Sequence, residues 1–178
     1  MNKNSKSELR KYFLNKRQNC RINSELIIQN LFNFLKLKSF ESIGIYYPIK
    51  QEVDILRIIA LLDKSIQIAL PVVKNNTIEF YIWDKTQNSL IENPKFKILE
   101  PNIKESRILK PDIIITPLLS YDKNNIRLGY GGGFYDRYLK QNPKIIKIGI
   151  ASVIQKHDSD LPAEPHDIKL DHVITETF

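Results

Sequence analysis

Between two prolines, Pro111 and Pro117, the chain carries Asp112-Ile113-Ile114-Ile115-Thr116. An apolar run without alternation offers no polar face to water. It predicts a strand buried on both sides, as in a parallel sheet covered by helices. Further runs repeat the pattern at 43–47, 66–70, 145–151 and 173–175, and Thr77 to Trp83 adds a strand with alternating faces. Helical spacing fills several of the intervals. Ser5 or Asn4 caps a first helix to about Arg17, Ser24 caps a second to about Leu35, and Asp54 caps a third carrying Ile55, Leu56, Ile58, Ile59 and Leu62. Phe134 to Lys140 starts a fourth. The stretch from Thr86 to Arg107 is polar, contains Pro94 and Pro101, and predicts loop with short elements. Strands alternating with helices over 178 residues predict one α/β domain spanning 1–178, a three-layer α/β/α sandwich with a mainly parallel sheet.

Four of the six glycines fall in Arg127-Leu128-Gly129-Tyr130-Gly131-Gly132-Gly133-Phe134-Tyr135-Asp136-Arg137, just before the predicted fourth helix. Glycines let backbone N–H groups turn toward an anion, and the following helix N-terminus adds roughly half an elementary charge. Arg127 supplies a planar fork that matches phosphate oxygens. Asp136 offers a carboxylate oxygen where a magnesium ion on those phosphates needs one. Two common glycine patterns fail here. A dinucleotide fingerprint starting at Gly129 requires glycine or alanine where Phe134 stands, and a P-loop requires Gly-Lys-Ser/Thr before the helix. Three consecutive glycines also match poorly the alternating aromatics of an RNA-binding ribonucleoprotein motif.

Other candidates lie far from this loop in the chain. Lys6 and Arg10 are four apart, so they project from one helix face and can close together on an anion. Glu52 follows the strand at 43–47, where ligand sites of open α/β sheets form. Phe80, Tyr81 and Trp83 offer flat surfaces, although core or edge packing is the commoner use of strand aromatics. The tail from His157 to His172 collects acids and histidines, but its spacing matches no zinc signature, and Pro162 and Pro165 mark it as loop. Asp167 or Asp171 can bring a second oxygen to a magnesium ion beside Asp136. Cys20 stands alone, which excludes an intramolecular disulfide and a cysteine-based zinc cluster and suits a reducing compartment. No segment approaches the ~20 apolar residues of a membrane span, and the basic amino terminus lacks the apolar run of a signal peptide. The formal charge of +7 favours anionic partners without choosing among RNA, acidic lipid and nucleotides.

The chain resembles the 5-formyltetrahydrofolate cyclo-ligase family, also called methenyltetrahydrofolate synthetases, over nearly its full length. The matching segments are Lys6-Ser7-Glu8-Leu9-Arg10, Tyr46-Tyr47-Pro48 with Glu52-Val53-Asp54, Leu70-Pro71, Thr116-Pro117-Leu118-Leu119 with Tyr121-Asp122, the glycine loop, and Leu161 to Asp167 followed by Asp171 and Thr175-Glu176. Phe134 in place of a frequent tyrosine, Asn125 in place of a frequent glycine, and Phe96-Lys97 in a segment that often carries glycine depart from the pattern. The resemblance implies an α/β/α sandwich. It implies ATP contacts from Lys6, Arg10, Arg127, Leu128, Gly129, Tyr130, Gly131, Gly132, Gly133, Phe134 and Tyr135, folate contacts from Tyr47, Glu52 and Phe134, and Mg²⁺ near Asp136 and Asp167. Arg127 and Lys6 are then the expected catalytic cations.

The chemistry implied by the resemblance is an attack of the N5-formyl oxygen on the γ-phosphate of ATP. N10 then attacks the activated carbon, and phosphate leaves a 5,10-methenyl bridge. Such a reaction asks for positioning and charge neutralisation rather than a protein nucleophile. The expected enzyme is a cytoplasmic monomer acting on small molecules, with no nucleic-acid or membrane partner. On the residues alone two other classes stand beside it. A nucleic-acid-binding module accounts for the basic, arginine- and aromatic-containing loop and predicts salt-dependent RNA affinity without ATP. A sugar-phosphate or acyl-transfer enzyme on a similar sheet accounts for the loop without folate.

Overall fold

The computed structural model describes residues 5–20 and 22–178. Helix α1 (Lys6–Gln18) starts at Ser5, whose side chain accepts from the Glu8 N–H while Glu8 bonds back to the Ser5 N–H, a reciprocal capping box. Asn4 lies outside the described residues. Helix α2 (Ser24–Leu35) is capped by Asn23 rather than the expected Ser24, since the Asn23 side-chain oxygen Oδ1 accepts from the Leu26 N–H. The chain continues through β1 (Ser42–Gly44), a 3-10 helix (Ile55–Ala60), β2 (Gln67–Lys74), β3 (Thr77–Ile82), β4 (Leu90–Glu92) and β5 (Leu99–Pro101). It ends with β6 (Ile113–Thr116), β7 (Ser120–Tyr121), β8 (Arg127–Leu128), α3 (Phe134–Gln141), β9 (Ile146–Ile150) and β10 (His172–Ile174).

Six strands form one sheet in the order β10-β9-β6-β1-β2-β3, and every neighbouring pair is parallel except β2 with β3. The run between Pro111 and Pro117 lies inside it as β6, all four residues buried. Pleating sends Ile113 and Ile115 into a core shared with Ile27 and Leu31 of α2 and with Ile55 and Ile58 of the 3-10 helix. Ile114 points the other way, onto Tyr138 and Leu139 of α3. The sheet is therefore sandwiched as expected. Helix α1 belongs to neither layer, because Leu9 and Phe13 pack instead on Leu119, Leu128 and Leu161, beside the hairpin of β7 and β8.

The chain departs from β1 toward β2 and β3 on one side, and from β6 toward β9 and β10 on the other. Between β1 and β6 the order reverses. Connections leaving the carboxyl ends of these two strands diverge and leave a crevice, the place where open α/β sheets bind ligands.

Several expected boundaries differ for physical reasons. Residues 45–47 continue beyond β1 without ladder pairing, because the chain turns away there to line the crevice. The segment after Asp54 winds as a 3-10 rather than an α-helix. Asp54 makes no cap bond and pairs instead with Arg57 at 3.2 Å. Trp83 and Phe80 are buried, with Trp83 Nε1 donating to the Thr86 carbonyl and Phe80 edge-on to Tyr138, so these aromatics serve packing. Cys20 is an exposed thiol in the connection after α1.

The register of β1 against β6 has its own lock. Asp112 Oδ2 accepts from the Glu41 and Ser42 N–H groups at 3.0 Å and from the Ser42 hydroxyl at 2.7 Å. Burial raises the Asp112 pKa, but these donors outweigh it and hold the carboxyl below its ordinary 3.8. A depressed pKa contributes stability above the unfolded value and loses it as pH falls through the folded one. Asp112→Ala should cost about 1 kcal/mol in urea unfolding at pH 7, with the difference from wild type narrowing below pH 4.

Candidate active site

The crevice at the switch point opens into a cavity of about 470 Å³, within the ordinary size of small-molecule sites. Tyr46, Tyr47, Ile49, Lys50 and Glu52 reach it from the loop after β1, and Pro117 from the end of β6. Residues 127–136 form a second wall. Lys6 and Arg10 come from α1, Glu164, His166 and Asp167 from the tail, and Phe96, Ile98 and Leu99 from the turn of the β4–β5 hairpin. The residues expected to meet ATP, folate or Mg²⁺ thus all line one cavity, whereas Phe80, Tyr81 and Trp83 do not, and Asp171 pairs with Lys147 at 3.0 Å away from its wall.

The glycine loop is shaped by contacts that only glycine permits. Gly131 sits at φ +101, and a Cβ there would stand 3.2 Å from the Arg10 guanidinium carbon. Gly133, at φ +64, immediately precedes α3, where a side chain would meet the Arg137 guanidinium. Arg10 Nε donates to the Gly129 carbonyl at 2.9 Å, holding α1 against the loop. Phe134 lies edge-on to Phe96 with ring centres 5.4 Å apart and under the Arg137 guanidinium at 5.3 Å. The β4–β5 turn is thereby fastened to the glycine loop.

Two cations of the cavity wall, Lys6 and Arg127, are already paired with carboxylates. Lys6 Nζ bonds Asp167 Oδ2 at 2.6 Å and also contacts Glu164. Burial raises the Asp167 pKa, but the Lys6 ammonium and the Glu164 N–H outweigh it and keep the carboxyl below its ordinary value. Arg127 donates from Nη2 to Asp136 Oδ1 at 2.9 Å and from Nη1 to the Ile168 carbonyl at 3.1 Å. Asp136 Oδ1 also accepts from the Ile168 N–H. Arg127 is thus a buried tie between β8, α3 and the tail, while Lys6 and Arg10 are the less buried cations. The oxygens of Glu164 and Asp167 and a ring nitrogen of His166 lie within 4.8 Å of one another; Asp136 is not part of that group.

Glu52 is bound on both oxygens. Oε1 accepts from the Tyr130 hydroxyl at 2.7 Å, and Oε2 from the Ile49 N–H at 2.9 Å. Burial pushes its pKa up, only partly offset by these donors and by Arg17 and Lys50. Tyr130 is likewise pushed up by burial and by the adjacent Glu52. The Tyr130 oxygen in turn accepts from Arg17 Nη2 at 2.6 Å. Arg17 was not among the sequence candidates, although eleven residues beyond Lys6 is three helical turns and returns to within about 20° of the same face. The apolar contributors Phe96 and Ile98 had no comparable signal, since they come from a segment without clear periodicity.

Fold and cavity are those of an α/β enzyme that holds its ligand at the switch point between two diverging connections. A model of the 5-formyltetrahydrofolate cyclo-ligase family matches residues 2–176. A 5-formyltetrahydrofolate cyclo-ligase of Mycoplasma pneumoniae is 34% identical, covering 84% of this chain and 82% of its own length. One of Haemophilus influenzae is 30% identical over 81% of this chain and 80% of its own. The solved 5,10-methenyltetrahydrofolate synthetase of Aquifex aeolicus superposes with a TM-score of 0.82 at 34% identity, covering 97% of this chain and 90% of that one. The chain belongs to the 5-formyltetrahydrofolate cyclo-ligase family.

A raised carboxyl pKa contributes stability that is fully present below 4.5 and is lost as pH rises through the folded value. Carbon-13 NMR of the Glu52 carboxyl should give a midpoint above 4.5. Tyr130→Phe should move it higher still, because a donor to the ionised form is removed while the burial remains.

Proposed function

We propose that the protein converts 5-formyltetrahydrofolate to 5,10-methenyltetrahydrofolate at the expense of ATP, releasing ADP and phosphate. One observation carries this reading. The cavity is lined both by an anion-suited set, the glycine loop with Lys6 and Arg10, and by a second set, the acceptor Glu52 with the aromatic side chains of Tyr47 and Phe134. A polyphosphate fits the first, and a flat, donor-bearing pterin fits the second.

Phosphate recognition falls to the N–H groups from Leu128 to Tyr135, the N-terminus of α3, Lys6 and Arg10. Lys6 neutralises charge during transfer. Arg127 acts in catalysis by fixing Asp136 and the α3 end of the loop. On the folate side Glu52 accepts from pterin N–H groups, and Tyr47 and Phe134 bear on the ring system. The formyl oxygen attacks the γ-phosphorus as the bond to the ADP oxygen breaks. N10 attacks the activated carbon, the carbon–oxygen bond to phosphate breaks, and the N10 proton passes to solvent or phosphate, leaving the methenyl cation.

Asp167 and Asp136 suit a magnesium ion in donor type. Mg²⁺ takes one or two carboxylates together with substrate phosphates, and the Lys6 ammonium already marks the Asp167 oxygen as a seat for positive charge. Bound there, the ion would neutralise phosphate oxygens. The reaction uses only small molecules, and we assign the protein as a cytoplasmic monomer without a nucleic-acid or membrane partner.

Purified protein mixed with 5-formyltetrahydrofolate and Mg-ATP should develop the near-ultraviolet band of the conjugated methenyl product, and should not without ATP. A flat trace from protein that still binds ATP sinks the folate reading. Arg10→Ala should raise the KM for ATP by about tenfold or more, the worth of a charge-assisted hydrogen bond, with a smaller effect on the KM for folate. Equal effects on both would remove Arg10 from the phosphate end.

A further inference from the structure

Arg17 is 2% exposed and does not line the cavity, yet it touches two of the parts that set Glu52 in place. Its Nη2 donates to the Lys50 carbonyl at 2.7 Å and to the Tyr130 hydroxyl oxygen at 2.6 Å. Lys50 and Gln51, at φ 47 and 60, are two successive non-glycine residues in the left-handed region, immediately before Glu52. Such backbone persists only where its surroundings hold it. The Arg17 bond to Lys50 is one of those restraints, and the reciprocal bonds between Ile49 and Glu52 are the others.

A tyrosine hydroxyl has a single proton, and a guanidinium donates but cannot accept. With Arg17 donating to the Tyr130 oxygen, that proton has no use toward Arg17 and points to Glu52 Oε1, 2.7 Å away. Among the described residues the buried Arg17 Nε has no hydrogen-bond partner. We propose that Arg17 is a positioning residue for the substrate-binding carboxylate of Glu52: it directs the Tyr130 proton onto Glu52, holds the turn that carries Glu52, and so keeps Glu52 an acceptor facing the cavity.

This inference rests on the folate reading of the cavity. The groups around Glu52 are Tyr130 from the glycine loop, Arg17 from α1, Lys50 from its own turn, and the buried hydroxyls of Tyr46 and Tyr135. Of these Arg17 and Lys50 carry positive charge, and both favour the ionised carboxylate. Burial pushes Glu52 and the three tyrosines up alike.

The test is direct calorimetric titration, without turnover, of wild type, Arg17→Met, Tyr130→Phe and the double variant with 5-formyltetrahydrofolate and, separately, with ATP. Arg17→Met is expected to weaken folate binding about tenfold and ATP binding less than about threefold. The double variant is expected to bind folate no more weakly than the weaker single variant, because both substitutions break one chain of bonds. The Glu52 carboxyl midpoint should rise in Arg17→Met. Arg17→Lys, which keeps a donor and a charge, should recover part of the affinity and stands in if the methionine variant does not fold. Equal losses for both ligands, or additive losses in the double variant, would overturn the inference while wild-type folate binding leaves the proposed function standing. Failure of wild type itself to bind folate would overturn both.

Discussion

The parallel contact between β1 and β6 is the constraint on which the rest of the molecule depends. Ile43 lies beside Ile113 and Gly44 beside Ile114, and Asp112 ties the beginnings of both strands through Ser42. A parallel pair cannot be closed by a tight turn, so each strand must leave its carboxyl end through a long connection. Here those connections run in opposite directions across the sheet. The crevice between them is a topological by-product of building outward from one central pair. Gly44 shows how tightly the centre is filled, because a Cβ there would stand 2.7 Å from the Phe80 ring.

The central strand was legible because three consecutive isoleucines between prolines leave no polar face for water. The glycine loop was legible for the opposite reason, since its composition is too costly in backbone entropy to occur without a requirement for close approach. The capping box at Ser5 and Glu8 announced α1 by strictly local chemistry. What escaped depended on distant partners. Asn23 won the cap over Ser24 because its side chain reached the right N–H, and Asp54 found Arg57 instead of the backbone. Asp112, read only as part of a strand boundary, acts on a segment seventy residues away. The turn of β4 and β5 has no periodicity to expose it, yet Phe96 and Ile98 help close the cavity.

The site follows the same division. Its residue types were visible singly, and family resemblance gathered them, but their pairings arise only in three dimensions. Arg127 looked like a phosphate fork, and the structure shows two of its five donors engaged by Asp136 and Ile168. Lys6 looked like a free cation on a helix face and is instead seated on two tail acids. Beside the loop after β1, hydrogen bonds link Arg17 through Tyr130 to Glu52. In that line each member constrains the proton of the next.

The contact of Lys6 with Glu164 and Asp167 joins positions separated by about 160 residues. The first helix of the chain therefore has no wall to complete until the tail loop has been made. During synthesis the part of the cavity wall made by Glu164, His166 and Asp167 is added only after the sheet strands up to β9 have emerged, so Lys6 gains its two acidic partners late.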